Sequence, residues 1–218
     1  MIATLTYIHV LALVYWLGGD LGTFLSSRYI TRGDLGVEAR KTAFAILQEC
    51  DLGPKLAMPV TLGSGFHLTT LYWQSLFPAQ AALIVWLVVL VWLALVFAQH
   101  ITHGRQPWLG KWDLILRSAV AVGLAGLAIV MWHRGLAPHV SLKIVVFAGL
   151  VACGIAVRFA LRPFAVAYLR MLTEGASPAT DQEMSTHLAH CRRYVWLIWL
   201  GLFVNAALGL GVLGAWVQ

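Results

Sequence analysis

Between Ala79 and Gln99 the chain runs through 21 residues, AQAALIVWLVVLVWLALVFAQ, without one charged side chain. At ~1.5 Å of rise per residue such a run is about as long as the ~30 Å hydrocarbon layer of a bilayer is thick. Inside lipid no water is available to the backbone, so a spanning segment must satisfy its own amides, as a helix does. Composition points the same way. The chain is 60% apolar and 11% charged, against about 25% charged in an ordinary soluble domain. Ten Trp and nine Phe supply interfacial anchors. The expected fold is all-α: a polytopic membrane helix bundle forming one domain over residues 1–218. Its spans fall at about 3–27, 55–73, 79–100, 112–133, 140–161 and 193–216. Residues 1–30 lack the basic start and small-residue cleavage site of a signal peptide, so they are read as a retained helix. Cys50, Cys153 and Cys191 form no C-x-x-C and imply neither a disulfide framework nor a zinc site.

The basic residues assign a direction. With the N-terminus outside, the first, third and fifth loops and the helix ends beside them hold 13 of the 15 Lys and Arg on the inner side. Only Arg134 and Lys143 are left outside. Such an imbalance follows the positive-inside rule, and predicts six spans with both termini outside, in a bacterial cytoplasmic membrane. It also accounts for the pI near 9.6 without a nucleic-acid partner. In the inner loops, Val37, Phe44 and Leu47 share one helical face, which suggests a short helix lying on the membrane. Thr180 and Glu183 have capping-box spacing, and Pro163 is expected to kink or end the fifth helix.

Polar residues inside the spans are the candidates for function, because lipid penalises them. On the first helix His9, Trp16, Asp20 and Ser27 form a narrow stripe at ~100° per residue. Gly18 and Gly22 form a G-x-x-x-G on roughly the opposite face. The second helix carries His67, with Gly63 a turn before and Thr70 a turn after. His9 and His67 lie at matching depths of ~9 Å below the outer surface, as the two axial ligands of a haem b would. The alternative for each is a hydrogen bond to a neighbouring helix. His133 and His139, at outer helix ends, are reserve ligands, while His100, His103, His187 and His190 belong to the inner surface. Lys143 breaks the charge bias and sits near a helix N-terminus, where the dipole disfavours a cation. It calls for an anionic partner such as a haem or porphyrin propionate, or else it snorkels to headgroups. Asp20 is expected to pair with Arg117 or Arg158, or to carry protons. Asn205 reads as an interhelical hydrogen-bonding residue.

These residues resemble a family. His9 followed by Trp16-Leu17-Gly18 resembles the first helix of the HemJ-type membrane protoporphyrinogen oxidases, haem b proteins related to the copper resistance D family. LGPKLAMPVTLGSGFHL and PHVSLKIVVFAGLVACGIAVRFAL resemble their second helix and their lysine-bearing helix, and CRRYVWLIWLGLFVNAALG weakly resembles their last. The match covers about half the chain. Residues 79–133 form two additional helices, and the family's Tyr-His pair and Asn-Glu-x-Pro are missing. The resemblance implies a haem scaffold with His9 and Lys143 as functional residues. It carries a possible oxidoreductase activity on a porphyrin, or electron transfer to the quinone pool. Two other readings stand beside it: a copper-transport permease drawing on Met58, Met131 and the outer histidines, and a non-catalytic membrane anchor of a dehydrogenase. The anchor reading needs a cytoplasmic redox partner on residues 34–50 and 163–190. Homo-oligomers are compatible with each.

The topology is open to direct test. A membrane-impermeant thiol reagent should label Leu76→Cys and Leu136→Cys from outside the cell, and leave Gly36→Cys and Ala176→Cys untouched. The reverse pattern would invert every depth given above.

Overall fold

The computed structural model describes residues 1–212 and, within them, every side chain except that of Ala79. The described chain is helical from end to end: α1 (Ile2–Ile30), α2 (Val37–Tyr72), α3 (Ala79–Ile101), α4 (Pro107–His133), α5 (Pro138–Ala160), α6 (Arg162–Glu174) and α7 (Pro178–Gly209). Four stretches are long and apolar enough to cross a membrane: Ile2–Ile30, Gln80–Ile101, Pro107–His133, and Pro138–Glu174, which takes in α5 and α6. The protein is therefore a membrane protein. The end of the last expected span, residues 213–216, lies outside the described residues.

Short connections make consecutive helices antiparallel neighbours. α1 packs on α2, α2 on α3, α3 on α4, α4 on α5, α5 on α7, and α7 back on α1, so six helices close a ring. A dry core fills its middle. Trp16, Met58, Trp92, Phe147, Val151 and Leu202 are among its buried members, with Trp16 and Phe147 edge-to-face at 6.0 Å. Leu83, Leu87, Leu90, Val122 and Phe203 stay exposed on the outside of the ring, as lipid-facing residues would.

Two helices are too long for a bilayer alone. α2 has 36 residues and α7 has 32, or ~54 and ~48 Å against a hydrocarbon core of ~30 Å. Their excess packs with α6 and the end of α1 around a second core. Ile30, Ala43, Phe164, Tyr168, Met171 and Met184 are buried there. The expected surface helix of residues 34–50 is instead the first part of α2. Its Val37, Phe44 and Leu47 pack against this second core, with Phe44 stacked on Tyr168 at 4.5 Å. The apolar face meets protein rather than lipid. Arg40 locks the assembly. It is fully buried and grips Asp181 with both terminal nitrogens, at 2.5 and 3.2 Å. It also donates to the Leu35 carbonyl and the Met171 sulfur. The cap of α7 is Ser177 with Thr180, three residues ahead of the expected Thr180–Glu183 box. Pro163 falls in the first turn of α6, after α5 has ended.

The tightest helix contact joins α1 and α2. Pro54, inside α2, lacks an N–H and so leaves the Cys50 carbonyl without its intrahelical donor. Gly19 of α1 lies on that carbonyl. A Cβ at Gly19 would overlap Pro54 Cδ and stand 2.8 Å from the Cys50 oxygen, and one at Gly22 would stand 2.8 Å from Cys50 Sγ. Gly53 answers from α2, its Cβ position 3.7 Å from the Gly19 Cα. At Gly18 there is nothing within 4 Å. The approach is thus made by Gly19 and Gly22 rather than the Gly18–Gly22 pair, because Gly18 turns away from α2. Gly19→Ala should lower thermal stability in detergent by about 1–3 kcal/mol, the usual cost of overpacking. Gly18→Ala should be neutral or mildly stabilising. Equal effects would show that the two helices meet in another register.

Candidate functional site

The polar stripe of α1 turns into the ring, as its spacing predicts. At the end of the bundle where α1 begins, His9 meets α2. Its Nδ1 is 2.9 Å from Ser64 Oγ, and Ser64 Oγ is 2.6 Å from the Val60 carbonyl. A hydroxyl has one proton, and the carbonyl can only accept. Ser64 therefore donates to Val60 and accepts from His9 Nδ1–H. The neutral ring is held as one tautomer, with its lone pair on Nε2, the arrangement in which second-shell partners hold metal-binding histidines. The ring lies against Gly65, where a Cβ would meet Cε1 at 2.9 Å.

Lys143 enters the same layer from α5. Its charge reaches the His9 ring, and its Nζ is 2.9 Å from where a Cβ on Gly209 of α7 would sit. No carboxylate among the described residues pairs with it. Two further polar atoms in this half of the ring, Thr61 Oγ1 on α2 and Asn205 Oδ1 on α7, are buried without a hydrogen-bond partner. Asn205 is one turn before Gly209, on the same side of α7. Four helices thus contribute to one layer: an oriented imidazole, an ammonium without a counter-charge, a hydroxyl and an amide oxygen. Such a layer suits an anionic ligand that also offers a Lewis-acidic centre to Nε2.

His67 is placed differently. Trp86 of α3 donates its indole N–H to His67 Nδ1 at 3.2 Å. Gly63, one turn earlier, faces Trp86 and Val89 of α3. His67 thus belongs to the α2–α3 contact, whereas His9 lies on the α1 side of α2. With Nδ1 accepting from Trp86, the proton of a neutral His67 resides on Nε2. The two imidazoles have separate partners, Ser64 and Gly65 of α2 for His9 and Trp86 of α3 for His67. The contact with Trp86 ties His67 to α3, outside the contacts that hold His9. His9 and Lys143 share one layer, and His67 makes its contact elsewhere.

The reserve histidines also separate. His133 lines a shallow apolar groove of about 150 Å³ between α4 and α5. His139 packs on the Trp73 ring at 5.2 Å. Among the described residues, no three His, Cys, Asp or Glu side chains gather as a metal-binding group.

Toward the other end lies a cluster that the spacing of Asp113 and Arg117 allowed but that was not anticipated. Arg117 Nε bonds both carboxylate oxygens of Asp113, at 2.9 and 3.0 Å, and Arg158 Nη1 reaches the same carboxylate at 3.1 Å. Arg117 also lies over Trp92 at 5.3 Å and points a donor at Met58 Sδ. Asp20 therefore does not pair with Arg117 or Arg158, because Asp113 has taken both. Its Oδ2 is buried without a partner.

No family model matches the sequence, and no curated protein or solved structure matches it.

Nitrogen NMR of histidine-labelled protein checks the tautomers. His9 should carry its proton on Nδ1 and His67 on Nε2. Ser64→Ala should release His9 into a tautomer mixture and leave His67 unchanged, while Trp86→Phe should do the reverse. A wild-type His9 protonated on Nε2 would remove it as an Nε2 ligand.

Proposed function

We propose that this protein is a six-span membrane redox protein that holds a haem b, or a related carboxylate-bearing tetrapyrrole, in the polar layer around His9. The observation that carries this reading is Lys143, an intramembrane ammonium beside an oriented imidazole and without a carboxylate of its own among the described residues. His9 Nε2 would hold the iron, and Lys143 would hold a carboxylate of the group. The haem would contribute a one-electron centre. Trp16, below His9 on the α1 stripe, seals the site from the rest of the ring. α2 and α7 complete six spans with α1, α3, α4 and α5, and the 13 inner cations set both termini outside a bacterial cytoplasmic membrane. Electron transfer to the quinone pool, or oxidation of a porphyrin, is the activity this reading favours. The copper-permease reading has less support, since Met58 is engaged by Arg117 and soft donors must cluster to hold copper. The anchor reading draws on one feature, the second core of α2, α6 and α7, which offers a partner a rigid platform.

The purified protein from haem-replete cells should show a b-type reduced-minus-oxidised spectrum. His9→Ala should abolish or shift it, and His67→Ala should not. If His139→Ala also alters the spin state, that residue is the second ligand. Lys143→Met should retain the fold and weaken tetrapyrrole binding about tenfold to hundredfold, for a lost charge-assisted hydrogen bond of roughly 1.5–3 kcal/mol. Arg134→Gln should change little. A colourless protein that takes up no haem on titration would overturn the proposal, and one that binds stoichiometric copper instead would favour transport.

A further inference from the structure

The structure has seven buried polar side-chain atoms without partners among the described residues, and four of them lie on the neighbouring helices α1 and α7. They are Asp20 Oδ2 and Thr23 Oγ1 on α1, with Arg192 Nε and Trp199 Nε1 on α7. Helical geometry explains the clustering. Gly19 and Gly22 face α2. Phe24 faces α7, meeting Trp199 at 5.3 Å and the Arg192 guanidinium at 4.9 Å. Asp20 and Thr23 fall between these directions at ~100° per residue, at the seam where α1, α2 and α7 meet. The levels also match. Arg192 donates to Ser27 Oγ at 3.3 Å, Trp199 stands beside Phe24, and Asp20 is one turn further in.

The four atoms are chemically complementary: two N–H donors, a hydroxyl and a carboxylate oxygen. Yet none bonds another, so each stands beyond direct reach of its complement. Buried polar groups of this kind are satisfied by internal water, which needs two to four polar partners. The series begins near the end of the bundle that holds Arg40, and it stops at Asp20. Beyond Asp20 come Trp16, 1% exposed, and the dry core around Phe147 and Val151.

We propose that the α1–α2–α7 seam is a hydrated proton inlet, open at the Arg40 end of the bundle and terminating at Asp20. The transfer is balanced by water alone. An O–H bond forms on the Asp20 carboxylate as one breaks in the adjacent water, whose proton is replaced along the file from bulk solvent. The charged group acting on Asp20 is Asp51 on α2, itself paired with Lys55; Cys191 on α7 lies near Asp51 and Arg192, and Arg192 lies near Arg28 of α1. Asp20 thereby exchanges protons with one side of the membrane only, whatever occupies the His9 layer.

Two measurements on the full-length protein in nanodiscs decide the matter, and neither needs a cofactor. Radiolytic hydroxyl footprinting modifies side chains that touch bound water. Trp199 and Cys191 should be modified, whereas Trp16 should stay protected. Infrared difference spectra between acid and neutral pH should contain a deuterium-sensitive carboxylic-acid band that is lost in Asp20→Asn and retained in Asp51→Asn. Protection of Trp199 equal to that of Trp16, or a band unaffected by Asp20→Asn, would overturn the inlet. Circular dichroism of both variants guards against misfolding, and Asp20→Glu should restore the band if Asn disturbs the helices. The haem spectrum and the inlet fail independently of each other.

Discussion

Lipid supplies no hydrophobic drive between helices, so bundle geometry depends on how closely backbones can approach. Here the closest approach is Gly19 and Gly22 of α1 on Cys50, Gly53 and Pro54 of α2. That contact fixes the register of the two helices, and the register decides where the polar side chains of α1 fall. About three turns toward the N-terminus it sets the His9 ring on Ser64 and Gly65. On the same helix it leaves Asp20 within the field of Asp51. A side chain at Gly19 would separate the helices and dissolve both arrangements.

The same constraint sorts the interior of the ring into levels. At one end stand His9, Thr61, Ser64, Lys143 and Asn205. In the middle Trp16, Phe147, Val151 and Leu202 form an apolar layer, with the Trp16 indole within hydrogen-bonding reach of Asp20. Toward the other end come Asp20 with its seam and, on the opposite side of the ring, Asp113 shared by Arg117 and Arg158. A single carboxylate between two guanidiniums keeps both cations hydrogen-bonded inside a low-dielectric bundle, where breaking such a group is expensive. Cations at one end and Lys143 at the other are separated by the apolar layer.

Outside the ring, Arg40 does for the second core what the glycines do within. A fully buried guanidinium joins α2 to Asp181 of α7, to Met171 of α6 and to the Leu35 carbonyl. The long α2 and α7 run from one core into the other, so displacement of the Arg40 end would be transmitted along the helices that line the His9 layer.

Much of this was legible in the sequence. The uncharged run at 79–99, the distribution of Lys and Arg, and the inward stripe of His9, Trp16 and Asp20 depend only on helical period and on the cost of charge in lipid. These are local properties, so sequence alone determines an all-helical membrane bundle and names the side chains that must face inward. Which residues they meet is another matter. Gly18 and Gly19 are indistinguishable by composition, and only the path of α2 shows which one bears the contact. His9 and His67 match in depth, but the α3 contact through Trp86 turns His67 away from the layer that holds His9. Asp113, rather than Asp20, receives Arg117 and Arg158, and Arg40 finds Asp181 across 141 residues of chain. Depth along a helix follows from counting residues, whereas rotation about the axis and choice of neighbour follow from packing among helices distant in sequence. That is why the sequence fixes the level of each polar group and the tertiary structure alone decides its partner.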